Sequence, residues 1–276
     1  MEFVDFKRGL RGPGLDILFP GWREGERVAF YSPHDDDAVL GSGYLLQAVR
    51  GCGGTPLVLI FCRGDAGYST PEAKSSIVAV RKAEALSAYS GLGVEPADIA
   101  SFDIPDFALM ETVSRKPGPL GECLFDRLVV FLRARGVSRV VFTSGHREHA
   151  DHTAVFFHGI YTSPQAADPI LADLGTPSPI LSYLAYGVWT DFGPADSLDG
   201  LRADKGILAG EDEEQKVRKS LAAFASQGDI LKRTVAARRD ERRTESGYLE
   251  LYQSIDIRAP VDFEPYKDAL GIMRKP

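Results

Sequence analysis

The chain has 276 residues, 44% of them hydrophobic and 26% charged, with a formal net charge of −7. That length and balance fit one soluble α/β domain better than two, and the acidic excess argues against a nucleic-acid or anionic-membrane partner while leaving room for a local basic patch. Cys52, Cys62 and Cys123 show no CxxC spacing and read as reduced thiols of a cytoplasmic protein; no apolar run approaches the roughly 20 residues of a membrane span, and no signal-peptide core opens the chain.

Residues 1–26, with Arg11-Gly12-Pro13-Gly14 and Pro20-Gly21, read as an irregular lead-in anchored by Leu15, Ile17, Leu18 and Phe19. The single domain is expected over 27–276. Its first strand is the apolar run Val28 to Tyr31, and a helix follows over Leu40 to Val49. Between them stand His34, Asp35, Asp36 and Asp37, at the carboxyl end of a strand, where open α/β sheets place ligands. Three adjacent carboxylates repel one another unless something positive lies among them. A divalent cation with His34 as a nitrogen ligand is one solution; a hydrated turn capping the helix is the other. This stretch alone leaves both open.

Leu57 to Cys62 is a second buried strand, and Thr70-Pro71-Glu72 opens a helix that runs to Gly91 or Gly93 with Arg81 and Glu84 on one face. A short strand is expected at 98–104, a helix at about 121–135 and another strand at 138–143. That last strand leads into Ser144-Gly145-His146-Arg147-Glu148-His149-Ala150-Asp151-His152, followed by a helix to about residue 161. Three of the chain's five histidines fall in these seven residues and a fourth is His34, so they concentrate at the two strand ends that carry acids. A long loop over 162–179, a strand from Pro179 to Tyr186, loop over most of 190–210 and an amphipathic helix from Glu211 to Gln227 complete the pattern. Residues 232–243 hold six basic residues (Lys232, Arg233, Arg238, Arg239, Arg242, Arg243) and read as a solvated helix face. The βα alternation predicts a Rossmann-like, doubly wound, mostly parallel sheet in a single α/β domain.

His34-Asp35-Asp36-Asp37 with Leu40-Gly41 resembles the His-Pro-Asp-Asp-Glu signature of the LmbE-like (PIG-L) family of metal-dependent N-deacetylases, and His149-Ala150-Asp151-His152 resembles its His-x-Asp-His signature. Gly64-Asp65-Ala66-Gly67 is similar to that family's glycine-rich loop, Arg81-Lys82-Ala83-Glu84 to its Arg-x-x-Glu helix, and Ser226-Gln227 to the end of a later helix. The resemblance covers about residues 26–160. Two positions depart from it: Asp35 stands where Pro is usual and Ala38 where Glu is common.

The resemblance and the residues together imply His34, Asp37 and His152 as three ligands to one catalytic Zn2+ per chain, with water in the open position. Asp36, beside a ligand, is expected to take a proton from that water. By family position His149 would stabilise the oxyanion and assist the leaving amine, with Asp151 orienting or charging it; a helix cap is the alternative for Asp151. Arg81 resembles the family arginine that reaches the substrate pocket, its alternative being a surface pair with Glu84. The turn lacks the glycines of a nucleotide site and the chain has no G-x-S-x-G elbow. The function implied is removal of an N-acyl, usually N-acetyl, group from a small-molecule amino sugar or glycoconjugate, with a homo-oligomer left open. Two other classes stand beside it: a non-catalytic metal- or sugar-binding protein, for which Asp36 would have no use, and an amidase acting on a non-sugar amide.

Overall fold

The computed structural model describes residues 1–117, 121, 123–145, 148–189, 203–258 and 263–274. Its elements in chain order are β1 (Glu2–Asp5), β2 (Leu10–Gly12), β3 (Arg27–Ser32), α1 (Asp37–Gly51), β4 (Thr55–Cys62), α2 (Ile77–Gly91), β5 (Ile99–Ile104), α3 (Leu124–Ala134), β6 (Arg139–Thr143) and α4 (Ala150–Phe157), then β7 (Ser182–Tyr186), β8 (Lys205–Ala209), α5 (Glu211–Ala222), α6 (Gly228–Glu241), β9 (Arg243–Thr244), β10 (Gly247–Ser254) and α7 (Glu264–Met273). They build one sheet in the order β2-β1-β8-β10-β7-β6-β3-β4-β5, with β9 paired to β10. The run β7-β6-β3-β4-β5 is parallel; β10, β8, β1 and β2 extend it antiparallel.

The expected doubly wound α/β domain is therefore present. Buried side chains of α1, α2 and α5 (Leu45, Tyr89, Val217) cover one face of the sheet and those of α3 and α4 (Leu128, Leu132, Val155) the other. Burial on both faces explains why β4 is buried from Pro56 to Cys62. From β3 the chain passes to β4 on one side, and after β5 it crosses back to β6 on the other. The strand order thus reverses between β3 and β6, and the carboxyl ends of those strands diverge into a cleft.

Helix α1 is broken at Ser42 (φ −137°, ψ 25°). The groups left unpaired by the break find partners in the antiparallel half. The carbonyl of Leu40 accepts from Arg238 Nε and Arg242 Nη1, both at 3.2 Å, and the N–H groups of Tyr44 and Leu45 donate to Glu250 at 3.1 and 3.2 Å. Gly41 and Gly43 flank the break because a Cβ at either would collide, with the Tyr186 ring and with Val217.

Several expectations need correction. The lead-in is not irregular: β1 and β2 form one end of the sheet, and Leu15, Leu18 and Phe19 enter the core. Part of the loop expected at 190–210 is β8, which lies between β1 and β10; residues 190–202 lie outside the described residues. The basic segment is a helix, but Arg238 is buried against Glu214 at 2.6 Å, so that face is only partly solvated. The hydroxyl of Thr70 makes no capping bond, and α2 begins at Ile77 after a separate 3-10 turn over Pro71–Ser75. Among the described residues no helix is long and apolar enough to cross a membrane.

Candidate metal centre and active site

The turn after β3 does not serve α1 as a cap. Asp36 occupies the N-cap position without a side-chain capping bond. The hydroxyl of Ser32, the last residue of β3, instead accepts the N–H of Ala38 at 3.0 Å. Freed from that task, Asp37 accepts the backbone N–H of His34 at 2.8 Å and lies 3.2 Å from His34 Nδ1 and 3.1 Å from His152 Nε2. The ligand atoms of His34, Asp37 and His152 all fall within 4.8 Å of one another. Two strand ends distant in the chain, at Ser32 and Thr143, meet here because β3 and β6 are neighbours in the sheet.

Helix α4 presents the second half of the site. His149 is its N-cap, with Nδ1 accepting from the N–H of Asp151 at 3.2 Å, which leaves the ring proton of the neutral imidazole on Nε2. Asp151 is not the cap. It is fully buried, accepts from the N–H of Phe107 at 2.9 Å, and lies 3.4 Å from both His34 Nε2 and His149 Nδ1. His152 lies between two carboxylates, with Nδ1 2.7 Å from Glu148 and Nε2 3.1 Å from Asp37. Among the described residues, Asp151 Oδ1 is one of the buried polar atoms without a hydrogen-bond partner.

The electrostatics follow from this crowding. Burial disfavours the charged form of His152, yet Asp37 and Glu148 lift its pKa to about 9, and Asp151 and Asp37 raise His34 against the same penalty. Burial would raise Asp37, but the two imidazoles hold it below the usual carboxylate range. Asp36 has no such partner: burial, then Asp37 and Asp35, push its carboxyl up to about 7. His149 is lowered by burial and by the neighbouring His34. Two ring nitrogens and a carboxylate converge here at 3.2 and 3.1 Å, the donor set of a zinc site. His34 also belongs to two other groups of compatible spacing, with His149 and Asp151 and with Cys62 and Asp106.

Arg81 lies where neither expectation put it. It is 4% exposed, pairs with both oxygens of Asp35 and comes within 3.9 Å of Asp36. A guanidinium so engaged braces the acidic turn rather than facing the cleft as a substrate ligand. Nor does it pair with Glu84, which accepts from the N–H and hydroxyl of Ser226 at 2.8 and 2.6 Å. Gly64 and Gly67 are glycines because a Cβ at either would strike the Arg81 side chain. Sequence reasoning missed Glu148, Trp189 and the partnership of Asp35. Glu148 had a signal, standing four residues before His152 on the approach to a helix; Trp189, beyond β7, had none. His146 and Arg147 lie outside the described residues. A cavity of about 460 Å³ sits at the other end of the parallel strands, but its cations Arg139, Lys205 and Arg258 are paired with Glu26, Asp5 and Asp168.

Residues 29–161 match the family model of PIG-L, GlcNAc-PI de-N-acetylase. No curated protein matches the sequence. Among solved structures, the chain resembles the N,N'-diacetylchitobiose deacetylase of Pyrococcus horikoshii (19% identity, 83% of this chain and 84% of that one, TM-score 0.66). It also resembles GalB, the 4-carboxy-2-hydroxymuconate hydratase of Pseudomonas putida KT2440 (18%, 86% and 99%, 0.62). A third likeness is to the A40926 pseudoaglycone deacetylase Dbv21 (19%, 86% and 100%, 0.58). At these identities the structures establish a shared fold.

Proposed function

From a chain that belongs, through residues 29–161, to the PIG-L (LmbE-like) family, and from the convergence of His34, Asp37 and His152, we propose a zinc-dependent N-deacetylase acting on an N-acetylated amino sugar or glycoconjugate in the cytoplasm. The observation that carries the reading is the convergence of His34, Asp37 and His152, whose ligand atoms all lie within 4.8 Å of one another with Asp37 between the two imidazoles at 3.2 and 3.1 Å. His34, Asp37 and His152 would hold the ion, leaving room for water and substrate. A cation bound there polarises the amide carbonyl and acidifies a water molecule. Asp36, next to the ligand Asp37 in the chain, takes the proton of the attacking water. His149 donates its Nε2 proton toward the oxygen of the tetrahedral centre, held in that tautomer by the backbone N–H of Asp151. The C–N bond then breaks, acetate leaves, and the amine departs with the proton returned through the site. Arg81, fixed on Asp35, keeps the acidic turn in place.

A hydratase shares the fold, so the reaction has to be established by assay. Acetate release from a panel of N-acetylated sugars, glycoconjugates and simple N-acetyl amides, with and without chelator, tests the reading. Release from sugars that chelation abolishes and zinc restores is expected. Release from simple amides alone makes the protein a non-sugar amidase, and sugar binding without release makes it a binding protein.

A further inference from the structure

We propose that Trp189 is the platform on which the ring of the acceptor lies, and that Glu148 is the positioning residue that fixes this platform to His152. That the ring is a sugar rests on the deacetylase reading; the platform does not.

Glu148 is a buried carboxylate with its two oxygens divided between two tasks. One accepts from His152 Nδ1 at 2.7 Å; the other accepts the backbone N–H groups of Val188 and Trp189 at 2.7 and 3.0 Å. Burying a carboxylate is costly unless its lone pairs are satisfied; here one bond is local, to the helix that Glu148 leads into, and the other two reach across to the segment after β7. The distance from the metal-facing imidazole to the segment after β7 is thereby set by one side chain.

That segment presents Trp189, which is 56% exposed. Its ring lies 5.3 Å from the His152 ring and 6.4 Å, edge-on, from that of His149. It also borders a cavity of about 280 Å³ lined by Val188, Arg233, Thr234, Ala237 and Arg238. An indole left open to water beside a polar cleft is an unsatisfied apolar surface. A pyranose complements it, with a face of C–H groups for the indole and hydroxyl edges for the Thr234 hydroxyl and the Arg233 guanidinium. An acyclic amide has no such face, so Trp189 would separate ring substrates from simple amides at the same metal centre.

The chain has two tryptophans, and the other, Trp22, packs on Phe19 and donates to the carbonyl of Cys52. Trp22→Phe therefore leaves Trp189 as the only indole emitter. In zinc-loaded protein carrying Trp22→Phe and Asp36→Asn, N,N'-diacetylchitobiose should shift the emission saturably and N-acetylethanolamine should not. In turnover, Trp189→Ala should raise KM for the ring substrate about 10- to 100-fold, leave kcat/KM for the acyclic amide within twofold, and keep full zinc content; Trp189→Phe should recover most of the loss. Glu148→Gln should lower zinc affinity about 10- to 100-fold and raise KM for the ring substrate. Excess zinc should restore the metal but not the KM, a split that a merely structural glutamate would not produce. Acetate release from sugars with no emission shift and no KM change in Trp189→Ala overturns the platform and leaves the deacetylase reading intact. A saturable shift without acetate from any substrate leaves the platform standing and removes that reading. Unchanged zinc affinity and KM in Glu148→Gln remove its positioning role.

Discussion

Asp36 and Asp37 are chemically identical neighbours whose surroundings separate them. Asp37 faces two imidazoles, at 3.2 and 3.1 Å, and is held ionised. Among the described residues the cations acting on Asp36 are Arg81, at 3.9 Å and already engaged by Asp35, and His34; burial prevails over both and the carboxyl rises to about 7. Asp36→Asn keeps size and hydrogen-bonding reach but cannot accept a proton; zinc content should hold while turnover falls about 100-fold or more. Asp37→Asn weakens a charged ligand and should lower zinc affinity together with rate. Metal titrations and turnover measured across a range of zinc concentrations check both, since excess zinc should partly restore Asp37→Asn alone. Rescue of Asp36→Asn instead would exchange the two roles. At this scale the sequence was informative wherever chemistry clusters along the chain: three acids after a histidine, three histidines in seven residues. It was silent on Asp35, because the arginine that makes a carboxylate tolerable at that position is 46 residues away and shows itself only in three dimensions.

At the scale of elements, β3, β4 and β6 were legible because strands buried on both faces must be continuous apolar runs. β1 and β8 were not: four- and five-residue strands of mixed polarity, whose buried positions include Asp5 and Lys205, look like loop until their partners are known. Arg238 misled for a related reason, since a buried arginine and a solvated one read alike in a basic run. Helix α4 is a case where the expected extent, to about residue 161, was right and the geometry of its last turn was not foreseen. The helix continues as a π turn over His158–Thr162, where the ring of His158 is fully buried and lies 3.0 Å from the hydroxyls of both Thr112 and Thr162. Burial lowers its pKa to about 4, against about 6.5 for a free imidazole. Below pH 6.5 the unfolded chain binds a proton that the folded chain refuses. Stability should therefore fall as pH drops from 6.5 toward 4, by about 3 kcal/mol in all and about 2 kcal/mol by pH 5. Urea unfolding of chelated protein at pH 7 and pH 5 measures this. His158→Gln should flatten the difference by that amount, and an unchanged difference would place the acid sensitivity elsewhere.

Across the whole molecule the sheet divides its labour. The candidate site stands on β3 and β6, inside the parallel run, while β8 is separated from β6 by β7 and β10. The far end is held by a buried ion pair: Lys205 on β8 reaches Asp5 on β1 and donates to the carbonyl of Ile17 at 3.1 Å, and Asp5 also accepts the N–H of Arg8 at 2.9 Å. Lys205 keeps Asp5 below the usual carboxylate range in spite of its burial. Breaking a buried pair by removing one charge is costly because the other is left uncompensated, whereas replacing both by apolar groups of similar volume is often neutral. Asp5→Asn should accordingly cost about 3 kcal/mol of unfolding free energy, and Asp5→Leu combined with Lys205→Met should recover most of it. Zinc content and turnover of either variant, measured well below its melting temperature, should match the parent, because among the described residues those that touch this pair, Arg8 and Ile17, lie away from the cleft. Denaturant unfolding set beside zinc content and acetate release decides the matter. A variant that loses zinc in proportion to its stability would mean that the antiparallel half shapes the cleft; the contacts of Glu250, Arg238 and Arg242 with the break in α1 are then the route by which it does so.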